Sequence, residues 1–249
     1  MKTEWDYTNL ADAYLKRPDY SETAIDAMLS IAGLTGNSRI CDIGAGVAHL
    51  TIPLASRGFI VDAVEPNDSM RKNGIKRTIK DSKVTWHEGT GEDTGMAGES
   101  YHMTTFGSSF NVCDRQKALI ESKRILVHRG WFACMWNHRD LEDPLQKEIE
   151  SIIKKRIPDY GYGTRREDQR IEIEKSGLFI NVIHLDAVIQ HSQTIEECSI
   201  AWKSHATLER QAKNQFNLIT NEIDSFLYSL DQPSISIPYL TNIWLAQLK

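Results

Sequence analysis

No cysteine pair, no long apolar run and no excess of basic charge marks this 249-residue chain, and each absence removes a class of function. The four cysteines, Cys41, Cys113, Cys134 and Cys198, lie far apart and form no C-x-x-C. Neither a zinc site nor a disulfide framework is suggested, and no metal is expected; reduced, buried thiols are the simpler reading. Apolar runs such as Ile125-Leu126-Val127 fall far short of the ~20 residues that span a bilayer. The opening Met1-Lys2-Thr3-Glu4-Trp5-Asp6 carries acids where a secretory signal needs an apolar stretch. A cytoplasmic protein with no membrane partner is the expectation. With 29 Lys and Arg against 34 Asp and Glu, the formal charge is −5, which argues against nucleic acid as a partner. Gly (15) and Pro (7) are too sparse for a fibrous or disordered chain, and there is no internal repeat.

What is present is alternation. Short β-like runs (39–43, 59–64, 83–87, 101–106, 130–136, 178–185 and 239–245) are separated by amphipathic stretches, including Asp68 to Lys80 and Asp114 to Leu126. That order predicts a mostly parallel sheet with crossover helices. Two stretches exceed a minimal alternation. Leu141, Leu145, Ile149, Ile152, Ile153 and Ile157 recur at helical spacing before a further helix near 165–176, and Leu208, Ala212, Ile219, Ile223 and Leu227 read as one long helix. We read the chain as a single α/β domain (1–249), with helical cap insertions at 140–164 and 195–232 and an N-terminal lid segment at 1–22.

The sharpest feature is Cys41-Asp42-Ile43-Gly44-Ala45-Gly46, where a β-run ends in a G-x-G turn and a helix is expected at once. Glycine there lets the backbone turn tightly and approach a ligand, and exposed amides at a helix start favour an anionic group. A second strand ends at Glu65, 21 residues after Gly44, about where an acid grips a ribose diol. The unit of strand, turn, helix, strand and terminal acid predicts a nucleotide-like ligand. A dinucleotide wants a third glycine, and His49 stands there instead, so NAD is disfavoured.

These residues resemble the class I S-adenosylmethionine-dependent methyltransferases, specifically the broad small-molecule group called type 11. Cys41 to Gly46 is similar to that family's first motif, Val64-Glu65-Pro66-Asn67-Asp68-Ser69-Met70 to its second, and Glu88-Gly89-Thr90-Gly91-Glu92-Asp93 to its third. Trp136-Asn137-His138-Arg139-Asp140 and the opening Tyr14-Leu15-Lys16-Arg17-Pro18-Asp19-Tyr20 are similar to further segments of some members. Thr90 stands where an Asp is usual, and Ala48 where Gly is frequent. The resemblance implies a doubly wound, mostly parallel seven-stranded sheet, Rossmann-like, with its last strand antiparallel. It implies S-adenosyl-L-methionine as cofactor, held by Tyr14, Asp42, Gly44, Ala45, Gly46, Glu65, Pro66, Met70, Thr90, Gly91, Glu92 and Phe106.

For the acceptor, Phe110 and Asn111 after strand four, Tyr20 in the lid and Arg165 in the cap are the candidate substrate contacts, with Arg165 or its neighbour Arg166 suited to a carboxylate or phosphate. His138, at the carboxyl end of strand five, is the candidate general base. The aromatic N-terminus (Trp5, Tyr7, Tyr14, Tyr20) suits a lid over a sulfonium. The expected activity is methyl transfer to an oxygen or nitrogen of a small metabolite by a monomer or homodimer. Two alternatives remain open: an RNA or protein methyltransferase of the same fold, and a non-catalytic nucleotide-binding protein.

Overall fold

The computed structural model describes residues 11–249; Trp5 and Tyr7 of the expected lid lie outside them. In chain order the elements are α1 (Ala11–Tyr14), α2 (Glu22–Ile31), β1 (Arg39–Ile43), α3 (Thr51–Ser56), β2 (Ile60–Val64), α4 (Asp68–Thr78), β3 (Val84–His87), β4 (Tyr101–Gly107), α5 (Arg115–Ile125), β5 (Leu126–Arg139), α6 (Pro144–Lys154), α7 (Arg170–Lys175), β6 (Phe179–Thr194), α8 (Ile195–Lys203), α9 (Ala206–Ala212), α10 (Phe216–Ser229) and β7 (Ser234–Leu248).

The helix starts are written locally. Asn67 Oδ1 accepts from the amides of Ser69 and Met70 at the head of α4, Asp143 does the same for Leu145 and Gln146 of α6, and Thr194 with Glu197 closes a capping box on α8. The strands form one seven-stranded sheet in the order β3-β2-β1-β4-β5-β7-β6. β7 runs antiparallel to both β5 and β6, and the other pairings are parallel. β1 and β2 are buried over four consecutive residues each, as strands covered on both faces must be. One face packs Phe106, Phe110, Phe132, Leu119 and Ile125; the other packs Ile25, Met28 and Leu54 against Ile40, Met103 and Leu245.

A third cluster stands apart from the sheet faces. Ile149 and Ile153 of α6, Trp202 of α8, Leu208 of α9 and Ile219, Ile223 and Leu227 of α10 pack on Ile235, Ile237 and Tyr239 of β7. Both expected insertions thus share one apolar core, seated on the far end of the β6–β7 ribbon. That ribbon is much longer than the sequence suggested: Thr194 still pairs with Ser234. Its distal half, Asp186 to Gln193, carries a residue pattern covered on one side only, so no apolar run announced it.

Three element boundaries also differ. The long helix expected from Leu208 to Leu227 is broken, because Lys213 adopts φ 50° and ψ −120° between α9 and α10, and no helix passes through that conformation. The helix near 165–176 is a 3-10 turn at Gly163–Arg166 followed by the shorter α7. After the glycine turn, α3 begins only at Thr51, five residues beyond Gly46 rather than at once.

Candidate active site

At the carboxyl ends of β1, β2, β4 and β5 a cleft opens, roofed by the lid residues from Tyr14 to Tyr20 and by the cap. Carboxyl ends of parallel strands are where doubly wound sheets bind ligands, because the chain order reverses there. Its walls hold Gly44, Ala45, Gly46, Glu65, Pro66, Met70, Thr90, Gly91 and Glu92 on the sheet side. These come from three separate loops that only the strand order makes neighbours.

The turn after β1 is organised around acceptors. The amides of Gly44 and Ala45 both donate to the Val64 carbonyl, at 2.8 and 3.0 Å, and the Gly46 amide donates to Glu65 Oε2 at 2.9 Å. Glu65 Oε1 takes the Asn67 amide at 2.8 Å. Burial pushes the Glu65 carboxyl up, against the pull of those two amides. The expectation that these amides would meet an anion is therefore corrected: they are spent inside the protein, and three carboxylates (Asp42, Glu65, Glu92) line this half of the cleft. A pyrophosphate has nothing to bind here. Each Glu65 oxygen keeps an acceptor site beyond its amide, so it can still take a hydroxyl or ammonium donor.

Asp42 works one layer deeper. Its fully buried carboxylate accepts from Thr51 Oγ1 at 2.6 Å and Thr105 Oγ1 at 2.9 Å, tying the first residue of α3 to β4. Burial lifts its pKa to about 6, with the two hydroxyls pulling the other way. Gly44 sits at φ 67°, and a Cβ there would stand 2.4 Å from Ser109 Cβ, so neither the dihedral nor the space admits a side chain. Ala48, where glycine is frequent in the resembling family, also adopts a positive φ of 75°.

Thr90 Oγ1 accepts from the Asp93 amide, and Glu92 Oε1 accepts from the Asp114 amide at the head of α5. Three expected contacts are corrected. Phe106 and Phe110 are fully buried and meet edge to face, 5.4 Å between centroids, in the aromatic core with Phe132. Asn111 is turned away to accept from Trp136 Nε1 at 2.9 Å. The residues of that segment that line the cleft are Gly107, Ser108, Ser109, Val112 and Cys113, and the backbone turns at Ser108 (φ 59°). No periodicity in the sequence marks that turn.

The segment from Tyr14 to Tyr20 is held from several sides. Tyr20 OH and Ser108 Oγ share a hydrogen bond at 2.9 Å, Asn137 Nδ2 donates to the Pro18 and Asp19 carbonyls, and His49 joins the Tyr14 carbonyl and the Asp19 carboxylate. Lys16 pairs with Glu197 of the cap at 3.5 Å. Tyr14 and Tyr20 both line the cleft.

His138 lines it too. Asn242 Oδ1 accepts from His184 Nε2, so its Nδ2 faces His138 Nδ1 at 3.4 Å. The neutral ring then carries its proton on Nε2, an atom that is buried with no partner. Burial, with Arg166 and Arg165 adding to it, drives the His138 pKa down to about 3. That is far from the match to neutral pH that a general base needs. Arg165 is joined on the cleft wall by Arg17 and Arg139 of the family-like segments, by Tyr162, and by residues the sequence reading did not single out, Glu197, Ser204, His205 and Tyr239.

With this geometry in place, the chain can be compared with known proteins. Residues 41–134 match the profile of the family described as "Methyltransferase domain". Residues 41–134 are therefore similar to a methyltransferase domain. An uncharacterised methyltransferase of Mycobacterium tuberculosis is 31% identical over 137 residues, 55% of this chain and 54% of that protein. One of Schizosaccharomyces pombe is 27% identical over 149 residues, 59% and 58% of the two chains. The match thus spans little more than half the length of these curated relatives. Among solved structures, a protein of Anaeromyxobacter dehalogenans provisionally described as a type II methyltransferase aligns over 93% of this chain and 97% of its own. Its TM-score is 0.63 and its identity 14%. Phosphoethanolamine N-methyltransferase 2 of Haemonchus contortus, bound to phosphomonomethylethanolamine and S-adenosylhomocysteine, aligns over 97% of this chain and 57% of its own. Here the TM-score is 0.56 and the identity 16%. At such identities the likeness establishes the fold, a Rossmann-like sheet with flanking helices. Among the described residues, no helix is long and apolar enough to cross a membrane.

Proposed function

We propose that this protein transfers the methyl group of S-adenosyl-L-methionine to an oxygen or nitrogen of a small metabolite. The observation that carries the reading is the hydrogen bond between Glu65 and the Gly46 amide, which aims the acid at the end of β2 into the glycine turn. Glu65 would take the ribose hydroxyls, and Pro66 and Met70 would flank the adenine with Thr90 and Gly91 at its edge. The acidic wall suits the sulfonium and the ammonium group of the amino-acid tail. Bound there, the cofactor supplies a methyl group already activated by a sulfonium, so the chain's task is to orient the nucleophile and exclude water.

The lid and cap serve that task. Tyr14 and Tyr20 roof the cleft, and Arg17 stacks on the Tyr14 ring at 3.7 Å, an arrangement that keeps aromatic surface over the site. His138, with its proton on Nε2, is set to donate to a substrate rather than to strip one. The acceptor favoured is therefore one that arrives reactive, such as a neutral amine or an ionised oxygen. An enclosed pocket with lid and cap fits a metabolite better than a polymer.

Calorimetric titration with S-adenosylhomocysteine tests the reading directly. Micromolar binding, weakened in Glu65→Ala, is the expected result; no heat at high micromolar concentration would place the chain among non-catalytic homologues of the fold.

A further inference from the structure

Four arginines, Arg17, Arg139, Arg165 and Arg166, line the cap half of the cleft. Among the described residues, none of them has a carboxylate within ion-pairing distance; Arg156, outside the cleft, by contrast pairs with Glu222, and Lys16 with Glu197. Their charges rest on aromatic faces instead. The Arg139 guanidinium lies 4.4 Å from the Trp202 ring and 5.7 Å from Tyr239, while Arg165 and Arg166 lie 4.9 and 4.5 Å from Tyr162. Glu150, the acid nearest in the cap core, is engaged by the Tyr162 hydroxyl and Lys154. Arg166 donates one bond, to the Arg139 carbonyl at 2.8 Å.

The Nε atoms of Arg139, Arg165 and Arg166 are all buried without a hydrogen-bond partner, and His138 Nε2 is orphaned beside them. Buried polar groups are ordinarily satisfied, and a desolvated cation is costly unless paired. Stacking on a ring recovers only part of that cost. Four unpartnered nitrogens on one wall, all donors, ask for one kind of ligand. The opposite wall carries the acids Asp42, Glu65 and Glu92, so the cleft is polarised from end to end. Burial and the neighbouring Arg17 charge hold the Arg165 pKa down to about 10, the response of a cation set among cations.

We infer that Arg139, Arg165 and Arg166 form an oxyanion subsite that takes the carboxylate or phosphate of an anionic substrate, with His138 Nε2–H as a further donor. Guanidinium binds both groups bidentately. The assignment deepens the methyl-transfer reading and rests on it for the other end of the substrate, which must present its nucleophile toward the acidic wall. Anion capture in the cap would then set specificity and fix the nucleophile's direction without touching the reacting atoms.

The test uses the full chain, with inorganic phosphate and succinate as probes, titrated by calorimetry at constant ionic strength with chloride as control. Saturable millimolar binding of at least one probe is expected, and whichever binds more tightly tells phosphate from carboxylate. Arg165→Gln and Arg166→Gln should each weaken it roughly tenfold or more, while S-adenosylhomocysteine affinity stays within about twofold. Neither probe binding above chloride, or both variants binding as well as wild type, overturns the subsite. Should a variant fail to fold, the arginine Nε–H resonances of the wild-type protein decide: shifts that saturate with probe support the site, and unmoved resonances refute it. Loss of S-adenosylhomocysteine binding in the wild type would instead sink the methyl-transfer reading, leaving the anion titration to stand by itself.

Discussion

The Glu65 carboxylate accepts the Gly46 amide proton at 2.9 Å, so the acid that ends β2 and the glycine turn that follows β1 are a single unit. The same carboxylate holds the Asn67 amide that leads into α4. One side chain therefore shapes the floor of the cleft and offers it an acceptor.

Replacing Glu65 by Ala should weaken S-adenosylhomocysteine binding by about 1–3 kcal/mol, the scale of a lost charge-assisted hydrogen bond. Calorimetry on the folded variant reads this. An unchanged dissociation constant would reject the ribose assignment.

The Gly44 turn makes a steric prediction. Gly44→Ala adds a positive-φ cost to the 2.4 Å approach of Ser109 Cβ, and should destabilise by roughly 2–4 kcal/mol in urea denaturation. Adding Ser109→Gly removes the clash but not the dihedral strain. The double variant should thus recover about 1 kcal/mol or more relative to the sum of the single changes; strict additivity would show that the two residues do not collide.

Asp42 makes a separable contribution to the pH dependence. Its folded pKa of about 6 lies above the usual carboxylate value, so across this window the native chain holds a proton that the unfolded chain has already released. By itself this lowers stability as pH rises from about 4 to about 6, while His138, whose folded pKa is pushed down to about 3, contributes in the opposite direction over the same window. Asp42→Asn lacks this slope. Measured stabilities of wild type and variant should diverge across that interval by something on the order of 3 kcal/mol, in favour of the variant at the higher pH. A difference flat with pH would show that Asp42 stays ionised when folded.

Lys213 lies exposed at φ 50° between α9 and α10, in a conformation glycine adopts without strain. Lys213→Gly should raise stability by about 1 kcal/mol in thermal unfolding. A variant less stable than wild type would mean that the two helices prefer to join.

Local chemistry made much of this legible beforehand. The order of β1, the glycine turn, β2 and Glu65 follows from short-range rules: apolar runs between turns, small residues where the backbone must bend, an acid at a strand's end. The methyltransferase resemblance rested on those same residues, 41–134 of which the family profile matches. The helix caps at Asn67, Asp143 and Thr194 are equally local, because each side chain serves amides two or three residues away.

What the amino-acid order could not express is which faces meet. Phe106 and Phe110 look like pocket residues until the structure shows Phe106 buried within β4 and Phe110, past the turn at Ser108, packed against it in the core, with Ser108 and Ser109 on the cleft. The distal β6–β7 ribbon is polar on one side and gains its second side only from the cap. The arginine wall is assembled from the lid (Arg17), the end of β5 (Arg139) and a turn after α6 (Arg165 and Arg166), segments far apart in the chain. They line one cleft only because the fold brings these segments together, so tertiary structure alone gathered the scattered charges.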